Sequence, residues 1–306
     1  MRDAFISELT VLAEEDPAIF LIVGDLGFSV IEEFANRFPD RFLNTGVAEQ
    51  TMLGVAAGLA AFGYKVFVYS IANFPTIRCL EQIRNDVCHH DRSVTVVSVG
   101  GGLSYGNLGY THHAIEDLAL MRALPNMRVL SPSDPVEARA LTRYAAEHPG
   151  PAYLRLGKNG EAVLPREAAR PVAPDIVQVL RSGDDVALVA TGSIAGSALK
   201  AADLLAERGV SARVISVPFV KPLPSAVLDA VANVRAIVTV EEHSEVAGFG
   251  SAVLEAASKR RNTAPIDVVG LPESVAGRFI GSQSYLRERG GLSPEAIAER
   301  ALELLA

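Results

Sequence analysis

The chain has 306 residues, 49% of them hydrophobic, and a formal net charge of −8 at pH 7. The acidic balance argues against a nucleic-acid surface, and no apolar run approaches the roughly 18–20 residues that span a bilayer. A positive mean hydropathy without such a run suits parallel sheets covered by helices on both faces, whose strands are apolar throughout, and the length is enough for two domains of ordinary size. The opening Met1-Arg2-Asp3-Ala4-Phe5 carries no apolar segment of the signal-peptide kind. Cys79 and Cys88 have no metal-ligand spacing and read as buried thiols of a reducing cytoplasm.

Residues 2–14 read as an amphipathic helix with Phe5, Leu9 and Leu12 on one stripe. Residues 18–23 form an apolar strand that ends in Gly24-Asp25-Leu26-Gly27-Phe28-Ser29. Loops at strand carboxyl ends are where open α/β sheets take ligands; turn formation and helix capping also account for Asp25 and Ser29. Gly46-Val47-Ala48-Glu49-Gln50 then opens a long apolar helix, about residues 48–62, rich in small residues. Glu49 falls in its first turn, where a carboxylate complements the helix dipole and free N–H groups. Taken alone, that is reason enough for a Glu at this position.

A strand over 65–69 leads to Ser70-Ile71-Ala72-Asn73-Phe74-Pro75, then to a helix through Arg78, Glu81, Arg84 and Asp86. The β-branched strand 93–99 runs into Gly100-Gly101-Gly102 and a second glycine-rich stretch up to Thr111-His112-His113. Glycines at that density mark close backbone approach or a mobile loop, yet neither a P-loop ending nor a dinucleotide fingerprint is present. His112-His113 is expected to lead a helix over 114–123, with one His pointing into a cleft rather than both binding a metal. A strand over 126–130, a helix from Pro135 to His148 capped by Ser131-Pro132-Ser133-Asp134, and a strand over 151–156 complete the first half.

Residues 157–175 have no clear period and are read as a linker, giving domains over 1–165 and 175–306. The second half again alternates strands (186–190, 212–217, 236–240, 266–269) with helices. That alternation means a mainly parallel sheet, so the predicted fold is two consecutive doubly wound α/β domains.

Several stretches together resemble the transketolase family, which includes deoxyxylulose-phosphate synthases. They are Gly46-Val47-Ala48-Glu49-Gln50, Thr111-His112-His113 with Glu116, Leu124-Pro125-Asn126-Met127, Ser131-Pro132-Ser133-Asp134, Phe219-Val220-Lys221-Pro222-Leu223 and Glu241-Glu242-His243. The match runs in order through nearly the whole chain. It covers the family's pyrimidine-binding and C-terminal domains; the Gly-Asp-Gly…Asn motif of its pyrophosphate-binding domain is not found in these residues. The resemblance implies thiamine diphosphate as cofactor. It also implies transfer of a two-carbon ketol unit between sugars or sugar phosphates, and a partner chain that holds the diphosphate and Mg²⁺.

By the same resemblance, Glu49 hydrogen-bonds to the aminopyrimidine ring nitrogen and activates the cofactor, a role suited to a buried carboxyl on a rigid helix. Phe74, Ile71 and Ile77 cup the ring, with Arg78 near it and Asp25 on the cofactor side. His112 handles sugar hydroxyl protons with His113 beside it. Arg2, Ser29 and Lys158 fall near positions that grip a substrate phosphate, Lys158 as a point charge where an Arg is usual. No metal ligand is assigned to this chain.

Two departures stand out: Leu108 where transketolases carry an acidic residue, and Gly100 where a His or Asp follows the strand. Both remove polar contacts to the substrate, and such contacts discriminate strongly. The expected assembly is a heterotetramer, two copies of each chain, self-associating through this one. Two other readings compete: the beta subunit of a 2-oxo-acid dehydrogenase, and a non-catalytic regulatory paralogue. The Phe219–Leu223 stretch and the Thr-His motif favour transketolase over the first, and retention of Glu49 and His112 argues against the second.

Overall fold

The computed structural model describes residues 1–167, 171–261 and 263–306. Part of the expected linker, residues 168–170, lies outside them. Two sheets organise the chain. The first holds β1 (Ile19–Val23), β2 (Phe42–Asn44), β3 (Lys65–Ile71), β4 (Val94–Val99), β5 (Arg128–Leu130) and β6 (Ala152–Leu156). The second holds β7 (Gln178–Arg181), β8 (Val186–Thr191), β9 (Ala212–Ser216), β11 (Ala236–Ser244) and β12 (Ile266–Leu271), while β10 (Phe219–Lys221) lies in the first.

The first sheet runs β10-β5-β6-β4-β3-β1-β2 and is parallel except for β10. Its central strands are buried along their length, as helices on both faces require. The helix Arg2–Glu15 packs Phe5 and Leu9 against one face; the helix Glu49–Ala61 packs Met52, Leu53 and Ala56 against the other. From β1 the chain goes outward to β2, then returns to place β3 on the opposite side of β1. The carboxyl ends of β1 and β3 are therefore a topological switch point, the place where such sheets leave a crevice for ligands.

The second sheet, β12-β11-β8-β9-β7, is parallel except for β7. Three strands are absent from the sequence reading: β2, β7 and β10. The last crosses from the second half of the chain and pairs antiparallel with β5, Phe219 opposite Leu130. The motif around Lys221 thus joins the two halves: its ammonium donates to the carbonyls of Arg122 and Leu124. Ser131-Pro132-Ser133-Asp134 has a matching duty. Asp134 caps the helix Pro135–Glu147 and takes both Arg166 Nη atoms at 2.8 and 2.9 Å, fastening the segment that leads into the second sheet.

The helix expected over 114–123 forms but starts three residues late: Tyr110–His112 makes one tight turn, and the helix runs over Asp117–Ala123. Gly102 and Ala114 exchange backbone hydrogen bonds at 2.9 Å, which holds residues 113–114 extended, and the Asn73 amide takes the His113 carbonyl. The predicted helix through Arg78 and Asp86 is broken into Asn73–Thr76, Leu80–Gln82 and a widened turn over Ile83–Cys88. No helix among the described residues is long and apolar enough to cross a membrane.

Candidate active site

Glu49 is the first residue of its helix and is 2% exposed, at the switch point between β1 and β3. Gly24, just past β1, faces both it and β3: a Cβ there would lie 3.5 Å from Ser70 Oγ and 3.7 Å from Glu49 Cγ. Gly46 precedes the helix with φ +69°, a conformation that favours glycine. Asn44, ending β2, fixes this rim; its side chain accepts from the backbone N–H of Asp25 and Gly46 and donates to Asp25 Oδ1 at 3.1 Å.

Two buried polar atoms here lack a partner among the described residues: Ser70 Oγ and Asn73 Oδ1. A buried polar group without a partner is costly and rare; Ser70 lies near the end of β3 and Asn73 just before Phe74. Arg78 Nη1 meets Glu49 Oε2 at 2.8 Å, while its guanidinium lies 5.0 Å above the Phe74 ring. A flat, half-exposed cation thus occupies both the carboxylate and the aromatic face. Ile71 ends β3 half-buried and Ile77 is exposed on the same segment. Together these groups offer a flat heteroaromatic ring an apolar face, a buried carboxylate and unsatisfied polar atoms, and they fit an aminopyrimidine.

Beyond Phe74 the site continues along the glycine-rich loop. The His112 ring meets Phe74 edge-on at 5.2 Å and lies 6.4 Å from Tyr105. Lys158, after β6, holds its ammonium 4.9 Å from the Tyr105 ring centre. Arg2 approaches the same corner: its charge acts on the Tyr69 and Tyr105 phenols, whose pKa values burial raises. Its Nε is buried with no hydrogen-bond partner among the described residues, and the Asp3 carboxylate lies 3.5 Å from it. Ser29, at φ +65°, is exposed and its N–H is taken by Glu32 at 2.7 Å. His113 differs: it is 1% exposed with Nε2 3.2 Å from the Gly106 carbonyl, beneath the loop.

Sequence reasoning missed two residues of this region. Tyr105 was one of many loop residues with no motif around it. Glu242 belonged to a recognised stretch but had no assigned task. It is 2% exposed and reaches across from β11: Oε1 accepts from the Leu103 N–H at 2.6 Å, and Arg287 Nε and Gln283 Nε2 hold it at 2.7 and 2.8 Å. Gly102 leaves it room, since a Cβ there would lie 2.7 Å from Glu242 Cγ. Arg155 braces the same junction from β6, pairing with Asp117 at 2.7 Å and donating to the carbonyls of Ala114 and Glu242. The neighbours Glu241 and His243 have structural contacts: Glu241 accepts the N–H groups that open the helix Phe249–Ala257, and His243 Nε2 accepts from Ala119. Among the described residues, no group of three or more His, Cys, Asp or Glu side chains is arranged to hold a metal.

Comparison with known proteins agrees with this arrangement. Residues 1–160 match the transketolase pyrimidine-binding domain, and residues 175–297 the transketolase C-terminal domain. The chain is 33% identical to one of the subunits of the apulose-4-phosphate transketolase of Phocaeicola vulgatus, over 99% of this chain and 97% of that one. It is 37% identical to 1-deoxy-D-xylulose-5-phosphate synthase of Symbiobacterium thermophilum, covering 99% of this chain but 46% of the synthase, about half its length. Among solved structures, a split-gene transketolase described as an inactive β4 tetramer superposes with a TM-score of 0.89 at 37% identity, over 99% of this chain and 97% of that one. The chain belongs to the transketolase family of thiamine-diphosphate enzymes, of which it carries the pyrimidine-binding and C-terminal domains.

Proposed function

We propose that this chain, working with a second chain that carries the pyrophosphate-binding domain, transfers a two-carbon ketol unit from a ketose or ketose phosphate to an aldehyde. The observation that carries this reading is the Glu49 carboxylate, buried at the switch point beside the unpartnered Ser70 hydroxyl and the Phe74 ring. Thiamine diphosphate, when bound, supplies a nucleophilic carbon for breaking and making the carbon–carbon bond.

This chain's residues do the rest. Glu49 holds the aminopyrimidine ring nitrogen through a hydrogen bond, and the helix Glu49–Ala61 fixes its direction. Phe74, Ile71 and Ile77 form the apolar wall, and Arg78 moves aside from the Phe74 face as the ring arrives. Asp25 shapes the rim on the cofactor side, held by Asn44. His112 moves protons at sugar hydroxyls, and its edge-on contact with Phe74 sets its direction. Arg2, Ser29 and Lys158 receive an anionic substrate end; the buried Arg2 Nε makes no hydrogen bond and meets only the Asp3 carboxylate, at 3.5 Å, which leaves it a donor to offer. We assign His113 to holding the loop from beneath rather than to touching substrate, in view of its burial.

Diphosphate and Mg²⁺ bind mainly on the partner chain, and the working assembly is a cytoplasmic heterotetramer, two copies of each, self-associating through this chain. A similar chain that forms an inactive β4 tetramer supports both the self-association and the need for a partner. The test is reconstitution with the partner, thiamine diphosphate and Mg²⁺, then a screen of ketose donors against aldehyde acceptors. Ketol transfer that disappears in Glu49→Ala is expected; transfer undiminished by that change would overturn the assignment.

A further inference from the structure

We propose that Tyr105 is a specificity-determining residue: its phenol stands where a side chain at position 100 would stand, and it binds the anionic end of the substrate together with Arg2 and Lys158. The inference deepens the function proposed above and rests on it.

Gly100 follows β4 with φ +84°. A Cβ at this position would overlap the Tyr105 ring at its Cδ2 and Cε2 atoms. A side chain at 100 and the ring at 105 therefore exclude one another. Where the strand end is bare, the loop folds back and fills the space with an aromatic ring carrying one hydroxyl.

The surroundings give that hydroxyl a purpose. The His112 ring lies 6.4 Å from the Tyr105 ring, the Lys158 ammonium stands over the Tyr105 ring 4.9 Å from its centre, and the Arg2 charge favours the ionised phenol. Burial raises the phenol pKa, so the group is a neutral O–H donor at physiological pH. A cation over the ring, a second cation whose charge reaches the phenol, and a neutral donor suit a phosphate or another oxyanion. A carboxylate at position 100 would repel such a group, and a hydroxyl donor attracts it. Tyr105 sits on the same loop as Leu103, whose N–H Glu242 holds, so its position is fixed from the second half of the chain.

The test compares wild type with Tyr105→Phe in the reconstituted enzyme. A phosphorylated ketose and its unphosphorylated counterpart serve as donors, and inorganic phosphate serves as competitor. A hydrogen bond to a charged group predicts that KM for the phosphorylated donor and the inhibition constant of phosphate each rise about tenfold or more. KM for the neutral donor and kcat should stay within about twofold. Phosphate binding to this chain is also measured without turnover, by 31P line broadening, so a failure of the ketol-transfer reading does not hide the answer. A second variant pair, Gly100→Ala alone and with Tyr105→Ala, tests the exclusion. Gly100→Ala, strained at φ +84° whatever the space, should weaken phosphate at least as much as Tyr105→Phe, and adding Tyr105→Ala to it should lose no further phosphate affinity. Equal phosphate affinity and an unchanged ratio of the two donors' KM values in Tyr105→Phe would overturn the proposal and leave Tyr105 a packing residue.

Discussion

Glu242 offers the sharpest test of how the second half of the chain supports the site. Glu242→Ala removes a carboxylate that is 2% exposed and held by three residues. It leaves the Leu103 N–H, in a residue 3% exposed, without an acceptor, at about 1–3 kcal/mol. It also breaks the Arg287 pair, and breaking a fully buried pair costs about 3–5 kcal/mol. Arg287 is 19% exposed and keeps Ser193 at 3.1 Å, so the pair falls below that fully buried range, at about 1.5 kcal/mol, and with a similar amount for the Leu103 N–H the sum is about 3 kcal/mol. For a protein of this size that lowers the unfolding midpoint by roughly 6–12 °C. Glu242→Gln keeps an acceptor for Leu103 and loses only the ion pair, so its drop should be about half as large. Because Leu103 anchors the loop that carries Tyr105 and His112, kcat/KM should fall by up to about 10²-fold in the Ala variant and less in Gln, with cofactor affinity unchanged. Thermal scans and steady-state kinetics on the reconstituted enzyme measure both. An Ala variant as stable and active as wild type, or a Gln variant as damaged as Ala, would refute the reasoning.

Other predictions follow from the buried groups. Burial opposes the charged form of Asp117, but the adjacent Arg155 guanidinium overrides it and holds the carboxyl below the usual carboxylate range. A depressed folded pKa gives stability that is present above the unfolded value, near 3.8, and is lost as pH falls through the folded one. Asp117→Asn should therefore be less stable than wild type at pH 7 by about 3–5 kcal/mol, with the gap narrowing below about pH 4 in thermal scans; a constant gap would refute the pairing. Burial pushes the Cys79 and Cys88 thiols up to about 12 and about 11. Neither should react with a thiol reagent at pH 8 until the chain unfolds, and rapid labelling of the native chain would contradict their burial.

The sequence made the alternation of strand and helix readable because buried parallel strands are apolar runs with glycine and proline at their ends. Glu49 could be singled out because a recognisable loop leads into its helix. The buried cysteines were read from their lack of metal-ligand spacing in a helical stretch, and both are fully buried and free. What was hidden depends on residues far apart in the chain. The three residues of β10 look like a proline-bounded loop until β5 is beside them. The helix expected from Ala114 starts only at Asp117 because Gly102 captures Ala114, a pairing that no local pattern announces. Glu242 acts on a loop 139 positions earlier. Tyr105 matters because of the side chain that Gly100 lacks, and an absent side chain has no periodicity to detect.

The most direct measurement is calorimetric titration of thiamine diphosphate with Mg²⁺ into this chain alone, into its mixture with the pyrophosphate-domain chain, and into the same mixture carrying Glu49→Ala. The account predicts no measurable binding to the chain alone, tight binding in the mixture, and a large loss in the variant. Tight binding to the chain alone, or binding in the mixture that survives the loss of Glu49, would contradict it.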